Sequence, residues 1–105
     1  MIPNAELRRR SRVRMRLREL NAIVDSADIL ALRQMGAPAD EYDCLADFVF
    51  QKLREACSVT DLAQAIVAET DEHFGLAASD ADAAKLAADA VAWYEDCRDQ
   101  FSLDF

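Results

Sequence analysis

The densest group of acidic residues lies between positions 40 and 47 and consists of Asp40, Glu41, Asp43 and Asp47. Paired carboxylates can bind a hard cation, which prefers six or more oxygen ligands. On a helix, Asp43 and Asp47 would share one face, because they are four residues apart. The spacing lacks the central glycine of a calcium-binding loop, so we predict no metal here. Acids in the first turn of a helix complement its positive end and its free N–H groups.

A second group that could bind a metal contains Glu69, Glu72 and His73. Glu69 and His73 are four residues apart and would share a helix face. A two-metal site in a helical bundle needs two Glu-x-x-His pairs and two further glutamates. The chain has a single histidine, so the group predicts a polar helix end, where His73 suits the negative pole.

The three cysteines, Cys44, Cys57 and Cys97, are an odd number without Cys-x-x-Cys spacing. This usage favours a reducing compartment, and we expect each thiol to pack as a small apolar group. The sequence has no glycine-rich phosphate loop, no Gly-x-Ser-x-Gly and no zinc-ligand spacing. We therefore predict that the protein is not an enzyme and has no catalytic residue, metal or cofactor.

The N-terminal segment is rich in arginine. On a helix its arginines form two rows with a spacing of four residues, one containing Arg8, Arg12 and Arg16 and the other Arg10, Arg14 and Arg18. Such a helix can bind nucleic-acid phosphates, attach to an anionic membrane or remain solvated, partly neutralised by the acidic body of the same or another copy. The candidate nucleic-acid contacts are Arg8, Arg9, Arg10, Arg12, Arg14 and Arg16.

Charge is distributed unevenly along the chain, whose net charge is −8. The first 20 residues contain seven arginines and two glutamates, for a net charge of +5, which leaves −13 on the other 85. We expect a single domain over residues 1–105, with a basic helix or arm at 1–18 and an acidic body at 19–105. An acidic body favours a basic protein as partner and repels a nucleic-acid backbone beyond the arm.

Composition predicts the fold class. Hydrophobic residues make up 52% of the 105 residues, and the chain contains only two glycines and two prolines. Folds built from β-strands use both residues in many turns. The sequence therefore predicts an all-α domain of four helices with short loops, arranged as a compact four-helix bundle or in orthogonal packing. No apolar run approaches the roughly 18 residues that span a membrane.

Start and stop signals delimit the first two helices. The first begins after Asn4 and either breaks near Asp25 or continues to Met35, where Gly36 would supply a left-handed cap before Pro38. The second begins at Asp40, the predicted N-cap. Their apolar faces are Val13, Leu17, Leu20, Val24 and Ala27, then Tyr42, Leu45, Phe48, Val49, Leu53 and Ala56.

The last two helices have capping-box spacing at their starts, Ser58 to Asp61 and Ser79 to Asp82. Gly75 is predicted to end the third helix. The apolar faces are Leu62, Ala63, Ile66, Val67 and Phe74, then Leu86, Ala90, Trp93, Cys97 and Phe101. Alanines on the fourth helix should allow close approach of its neighbours.

The stretch Asp40-Glu41-Tyr42-Asp43 after Gly36-Ala-Pro38, with Leu62-Ala63, Phe74-Gly75-Leu76 and Trp93 later in the chain, resembles a family of small bacterial helical proteins. Some similar proteins are immunity proteins encoded beside toxins. The resemblance covers roughly residues 30–93 and implies no catalytic residues. The chain departs from the family pattern at residues 32–34, where Leu-Arg-Gln replaces Trp-Asp-Pro, and in its arginine-rich segment.

Charge and resemblance together favour a small cytoplasmic inhibitor that neutralises a nuclease-type bacterial toxin or another basic protein. The predicted contacts are Asp40, Glu41, Asp43 and Asp47, with Tyr42 as an aromatic anchor. Should Tyr42 be buried instead, its hydroxyl will need a hydrogen-bond partner. The alternatives are a nucleic-acid-associated regulator that binds through the N-terminal helix, and an oligomer in which that helix docks on a neighbouring copy.

Overall fold

A computed structural model of the chain describes residues 4–32, 35–36 and 42–98, with side chains from residue 11 onward. Over these ranges the chain forms four helices and no strand, in the order α1 (Asn4–Ala27), α2 (Asp43–Arg54), α3 (Val59–Phe74) and α4 (Asp80–Cys97). The prediction of an all-α, four-helix bundle-like domain is confirmed.

The fourth helix makes the most extensive contacts in the packing, chiefly with α3 and then with α1. Its alanines Ala83, Ala87 and Ala90 are fully buried, as small side chains at close helix contacts must be. The predicted apolar faces supply most of the core: Leu20, Val24, Leu45, Val49, Leu53, Leu62, Ile66, Leu86, Ala90 and Cys97 are all buried. Ala27 and Ala56 are exposed instead, because one ends α1 and the other follows α2 in a left-handed conformation with φ of +62°.

Serine caps define the starts of α3 and α4, as predicted. The hydroxyl of Ser58 accepts a hydrogen bond from the backbone N–H of Asp61 at 3.1 Å, and Ser79 does the same for Asp82 at 3.1 Å. Gly75 ends α3 in the left-handed conformation with φ of +70°. Each of these bonds joins residues close in sequence, so the local pattern was sufficient to predict them.

The first helix ends at the earlier of the two predicted positions. After Ala27, Asp28 enters the left-handed region with φ of +43°, a conformation that aspartate tolerates better than most residues. The prediction that Gly36 caps this helix is wrong. Gly36 does have a φ of +87°, but α1 has ended well before it.

The second helix begins later than predicted. Its N-cap position is Tyr42, where no side chain makes a capping hydrogen bond, so the prediction of Asp40 as the N-cap is wrong. Asp40 itself lies outside the described residues. The reason is tertiary, because the Tyr42 side chain reaches back into the preceding loop instead of supporting the helix that follows it.

The Tyr42 hydroxyl ties the end of α1 to the start of α2. It donates to Asp28 Oδ1 at 2.6 Å and accepts from the backbone N–H groups of Leu30 at 3.2 Å and Leu32 at 3.3 Å. The residue is 2% exposed, and its ring lies 6.4 Å from that of Phe74 on α3. Burial, followed by the bond to Asp28, raises the pKa of Tyr42, so the hydroxyl keeps its proton at neutral pH.

We expect Tyr42→Phe to lower the free energy of unfolding by about 1–3 kcal/mol, because it leaves two backbone N–H groups without their acceptor. Asp28→Asn is the matched control. Asparagine retains an acceptor oxygen and tolerates positive φ, so it should cost less. Chemical denaturation measures both variants, and an unchanged stability for Tyr42→Phe would contradict the structural role of the hydroxyl.

Candidate functional site

Contacts between successive helices place four helix termini at one end of the molecule. The Tyr42 hydroxyl joins the end of α1 to the start of α2, and the contact between the Tyr42 and Phe74 rings adds the end of α3. The buried Thr70 hydroxyl accepts from the backbone N–H of Ala78 at 2.9 Å, which fixes the loop that leads into α4. These contacts give this end a defined geometry.

Exposed acidic side chains are concentrated at this end, which we call the acidic end. It consists of Asp43, Asp47, Asp71, Glu72, Asp80 and Asp82. All six residues are exposed, and none of their side chains forms an ion pair within the described part of the chain. Among the residues that the structure describes, no ion pair compensates the negative charge of the acidic end, and the helix contacts above give this surface a defined shape.

The structure brings only part of the predicted contact set to this surface. Asp43 and Asp47 lie there, one helical turn apart on α2. Asp40 and Glu41 are outside the described residues. The prediction of Tyr42 as an aromatic anchor is wrong, because its ring is buried between α2 and α3 and its hydroxyl is used within the loop.

Sequence reasoning did not assign Asp71, Glu72, Asp80 and Asp82 to this site. The sequence pattern explains Asp80 and Asp82 only as part of a helix start, and Glu72 only as part of a polar helix end. The sequence did contain a usable signal. A short loop separates α3 from α4, so acids at the end of one helix and the start of the next must lie at the same end of the hairpin.

Helix dipoles distinguish two groups among five of these acids, whereas Asp47 lies beyond the first turn of α2. Asp43, Asp80 and Asp82 are in the first turns of their helices, where a negative charge is stabilised. Asp71 and Glu72 are in the last turn of α3, where a negative charge is unfavourable. Local structure therefore accounts for the first three acids, whereas the charges of Asp71 and Glu72 interact unfavourably with the dipole of α3.

The arginine-rich segment is helical, and α1 continues through residues 18 and 19 without a break. Arg8, Arg9 and Arg10 belong to α1, but their side chains are outside the described part. Arg12 and Arg14 are exposed. The remaining candidate, Arg16, is half-buried and engaged with a carboxylate on its own helix.

Arg16 belongs to a small polar cluster between α1 and α4. Its guanidinium donates to both carboxylate oxygens of Glu19, at 2.9 and 3.1 Å, and the indole N–H of Trp93 donates to Glu19 Oε1 at 3.1 Å. The bond from Arg16, then that from Trp93, holds the pKa of Glu19 below its ordinary value of 4.5. This contact pairs the middle of α1 with the end of α4.

The arginines of α1 do not cover the acidic end of their own molecule. Arg12 and Asp28 are 16 positions apart, which corresponds to about 24 Å along a helix that rises 1.5 Å per residue. The part of α1 that contains Glu19 packs near the end of α4, whereas the acidic end of the molecule is where α4 begins. The fold therefore separates the two charged regions that the sequence contains.

Other candidate groups have structural surroundings. The carboxylate of Glu69 and the imidazole of His73 are in contact, with 2.8 Å between Oε2 and Nδ1, and no group of three metal-binding side chains occurs among the described residues. Burial raises the pKa of the Cys97 thiol, which disfavours the reactive thiolate. Cys57 is half-buried, whereas Cys44 is exposed, so the expectation that every cysteine packs inside is wrong for Cys44.

No known protein family, curated protein or solved structure matches the chain. The resemblance to small helical immunity proteins therefore stays a prediction. Within the described ranges, none of the helices combines the length and apolar character needed to cross a bilayer. The candidate contact surfaces are therefore the acidic end and the face of α1 that bears the exposed side chains of Arg12, Arg14 and Arg18.

The depressed pKa of Glu19 predicts a pH-dependent stability. A carboxyl whose folded pKa lies below its unfolded value stabilises the fold above the unfolded pKa, and this contribution is lost as pH falls through the folded pKa. We expect the midpoint of thermal unfolding to decrease as the pH is lowered below about 4.5. The decrease should be less steep for Glu19→Gln. The emission of Trp93, the only tryptophan, provides a local readout.

Glu72→Gln, on the exposed end of α3, is the control for loss of a carboxylate elsewhere. Coincident pH profiles for wild type and Glu19→Gln would show that the ionised carboxylate of Glu19 contributes nothing to the pH dependence of stability.

Proposed function

We propose that this protein is a small acidic inhibitor that binds a basic protein, of the kind in which an immunity protein neutralises a nuclease-type bacterial toxin. The acidic end is the proposed contact surface. Nucleases bind phosphates with basic side chains, and exposed carboxylates present a similar negative charge to the same cleft. Complementary charge raises the rate of association and disfavours acidic competitors.

The observation that carries this proposal is the position of Asp71 and Glu72. Both oppose the dipole of α3 and belong to the same end of the molecule as the other exposed acids of the acidic end, so their position is unfavourable for the stability of α3. Natural proteins retain such costs where binding requires them. The first-turn acids Asp43, Asp80 and Asp82 contribute to the same surface without this conflict.

The acidic end is also organised before any partner arrives. The hydroxyls of Tyr42 and Thr70 and the ring of Phe74 connect the helix termini that hold the acids. A surface held rigid in this way loses less conformational entropy when it binds. The carboxylates themselves remain exposed, so complex formation does not require local unfolding.

The double variant Asp71→Lys with Glu72→Lys separates function from stability. It should stabilise the fold by about 0.3–1 kcal/mol per charge, because cations suit the end of a helix. It should also slow association with the basic partner about tenfold or more. The test partner is the protein encoded by the neighbouring gene, with relief of its toxicity on co-expression and association rates in stopped flow as the readouts.

The matched control is Glu95→Lys with Asp96→Lys, which changes two adjacent exposed acids in the last turn of α4. Net charge and helix position change equally, but at the opposite end of the molecule. Because Asp96 interacts favourably with Arg16 on α1, the control should gain less stability than the first variant, and it should keep both partner binding and relief of toxicity. Equal loss of association in the two variants would reject the acidic end as the contact surface. A protein from the neighbouring gene that neither binds nor is toxic would reject the inhibitor function.

A second candidate function is nucleic-acid binding through α1, which is favoured by the exposure of Arg12 and Arg14. These side chains extend from a continuous helix at a distance from the acidic end, so repulsion from the acidic end is weakest there. The candidate residues Arg8, Arg9, Arg10 and Arg16 belong to the same helix. Binding of this kind would be electrostatic and independent of base sequence.

Gel shifts at graded salt test this second function. Arg12→Gln with Arg14→Gln should weaken duplex binding and lower the slope of log affinity against log salt by about 2, one for each lost phosphate contact. Lys52→Gln with Arg98→Gln removes the same charge outside α1 and should leave the slope unchanged. A wild-type protein that shifts no duplex even at low salt would exclude the nucleic-acid function.

A further inference from the structure

The outer face of α1 combines an exposed methionine with exposed arginines. Met15 is 58% exposed, although most large apolar side chains of the described chain are buried or half-buried. Arg14 and Arg18 are exposed on either side of it in sequence. Within the described residues these two arginines have no ion-pair partner. An apolar side chain surrounded by cations is a common composition for a contact surface.

The exposed arginines Arg14 and Arg18 lie at a distance from the acidic end of their own molecule. Arg18 precedes Asp28 by ten positions on the axis of α1, or about 15 Å. Arg14 is one further turn away. Because α1 is a single uninterrupted helix up to Ala27, it cannot fold back to place these guanidinium groups on the acidic end.

A complementary row of carboxylates occurs on α2. Asp43 and Asp47 are both exposed, are four residues apart and have no ion-pair partner among the described residues. Arg14 and Arg18 have the same separation, which is about 6 Å along a helix axis. Two helices laid side by side could therefore match each arginine with one aspartate, and Arg–carboxylate pairs are well suited to this geometry.

We propose that a second copy of this chain covers the arginine face of α1, with Arg14 and Arg18 of one copy paired to Asp43 and Asp47 of the next and Met15 packed between the helices. Charge complementarity within one sequence selects this occupant, because each copy has both the basic row and the acidic row. The inference is independent of the inhibitor function, although both use the acidic side of α2.

Such an association should be weak and sensitive to salt. Exposed ion pairs contribute little individually, and ions screen them beyond about 3 Å at 1 M ionic strength but only beyond about 30 Å at 0.01 M. Sedimentation equilibrium of the full chain should therefore show a mass above that of the monomer at about 0.01 M and a monomer at about 1 M.

Charge exchange between the rows gives the decisive test. Arg14→Glu with Arg18→Glu should be monomeric at low ionic strength, and so should Asp43→Lys with Asp47→Lys. An equimolar mixture of the two should associate again, because the reversed rows complement each other and the native row that each variant keeps complements the native row of the other. Asp43→Asn with Asp47→Asn is the safeguard should lysine at the start of α2 disturb folding, and it should also be monomeric.

Lys85→Glu with Arg98→Glu is the matched control, because it makes the same change of net charge at exposed positions outside α1. It should associate like the wild type. A wild type that is monomeric at low ionic strength would overturn the proposal, as would association that survives Arg14→Glu with Arg18→Glu. Capture of these arginines by duplex DNA in a wild type that does not self-associate would also overturn it.

The same arginine variant distinguishes this proposal from the inhibitor function. Arg14→Glu with Arg18→Glu leaves the acidic end intact, so it should still bind the basic partner. Loss of self-association with partner binding retained supports the contact between copies, whatever the fate of the inhibitor function. Loss of partner binding alone, with self-association unchanged, would contradict this assignment of the arginine row.

Discussion

The hydrogen bonds of one buried hydroxyl organise the rest of this structure. A buried tyrosine must satisfy its O–H, and Tyr42 does so by donating to Asp28 and accepting from two backbone N–H groups of the loop after α1. The loop is held although both Asp28 and Ala31 have positive φ. Because the same ring contacts Phe74, this residue fixes where α1 ends, where α2 begins and how α3 lies against them.

This constraint determines the charge distribution of the surface. Once the ends of α1 and α3 and the starts of α2 and α4 are at one end, their acids are there too. The antiparallel course of α1 and α4, seen in the bond between Trp93 and Glu19, directs the arginine-rich half of α1 the other way. The two charged regions cannot neutralise each other within one molecule, so each remains available to a partner or to another copy.

The acids of this surface differ in what they do for the fold. Asp43, Asp80 and Asp82 stabilise the helices they begin, and such residues are expected in any helical protein. Asp71 and Glu72 have no such role, since they lie at the negative end of α3. A cluster that contained only first-turn acids would need no functional explanation. These two residues are the reason to assign a binding role to the acidic end.

The sequence by itself determined the features that depend on residues close together in the chain. The number and type of helices, the serine caps at Ser58 and Ser79, and the left-handed Gly75 follow from hydrogen bonds between residues a few positions apart. The uneven distribution of charge along the chain also follows directly from the sequence. Two of the five predicted contacts, Asp43 and Asp47, lie at the acidic end, because α2 begins there and both residues are exposed near its start.

Only the tertiary structure decided the features that depend on distant residues. The burial of Tyr42 and the late start of α2 require a contact with Asp28, 14 positions away. The bond between Glu19 and Trp93 spans 74 positions. The joining of Asp71 and Glu72 to the acids of α2 requires the Tyr42–Phe74 contact. Hydrophobic periodicity shows which side of each helix is buried, but the partner of that side is set by how the packed helices satisfy their buried polar groups.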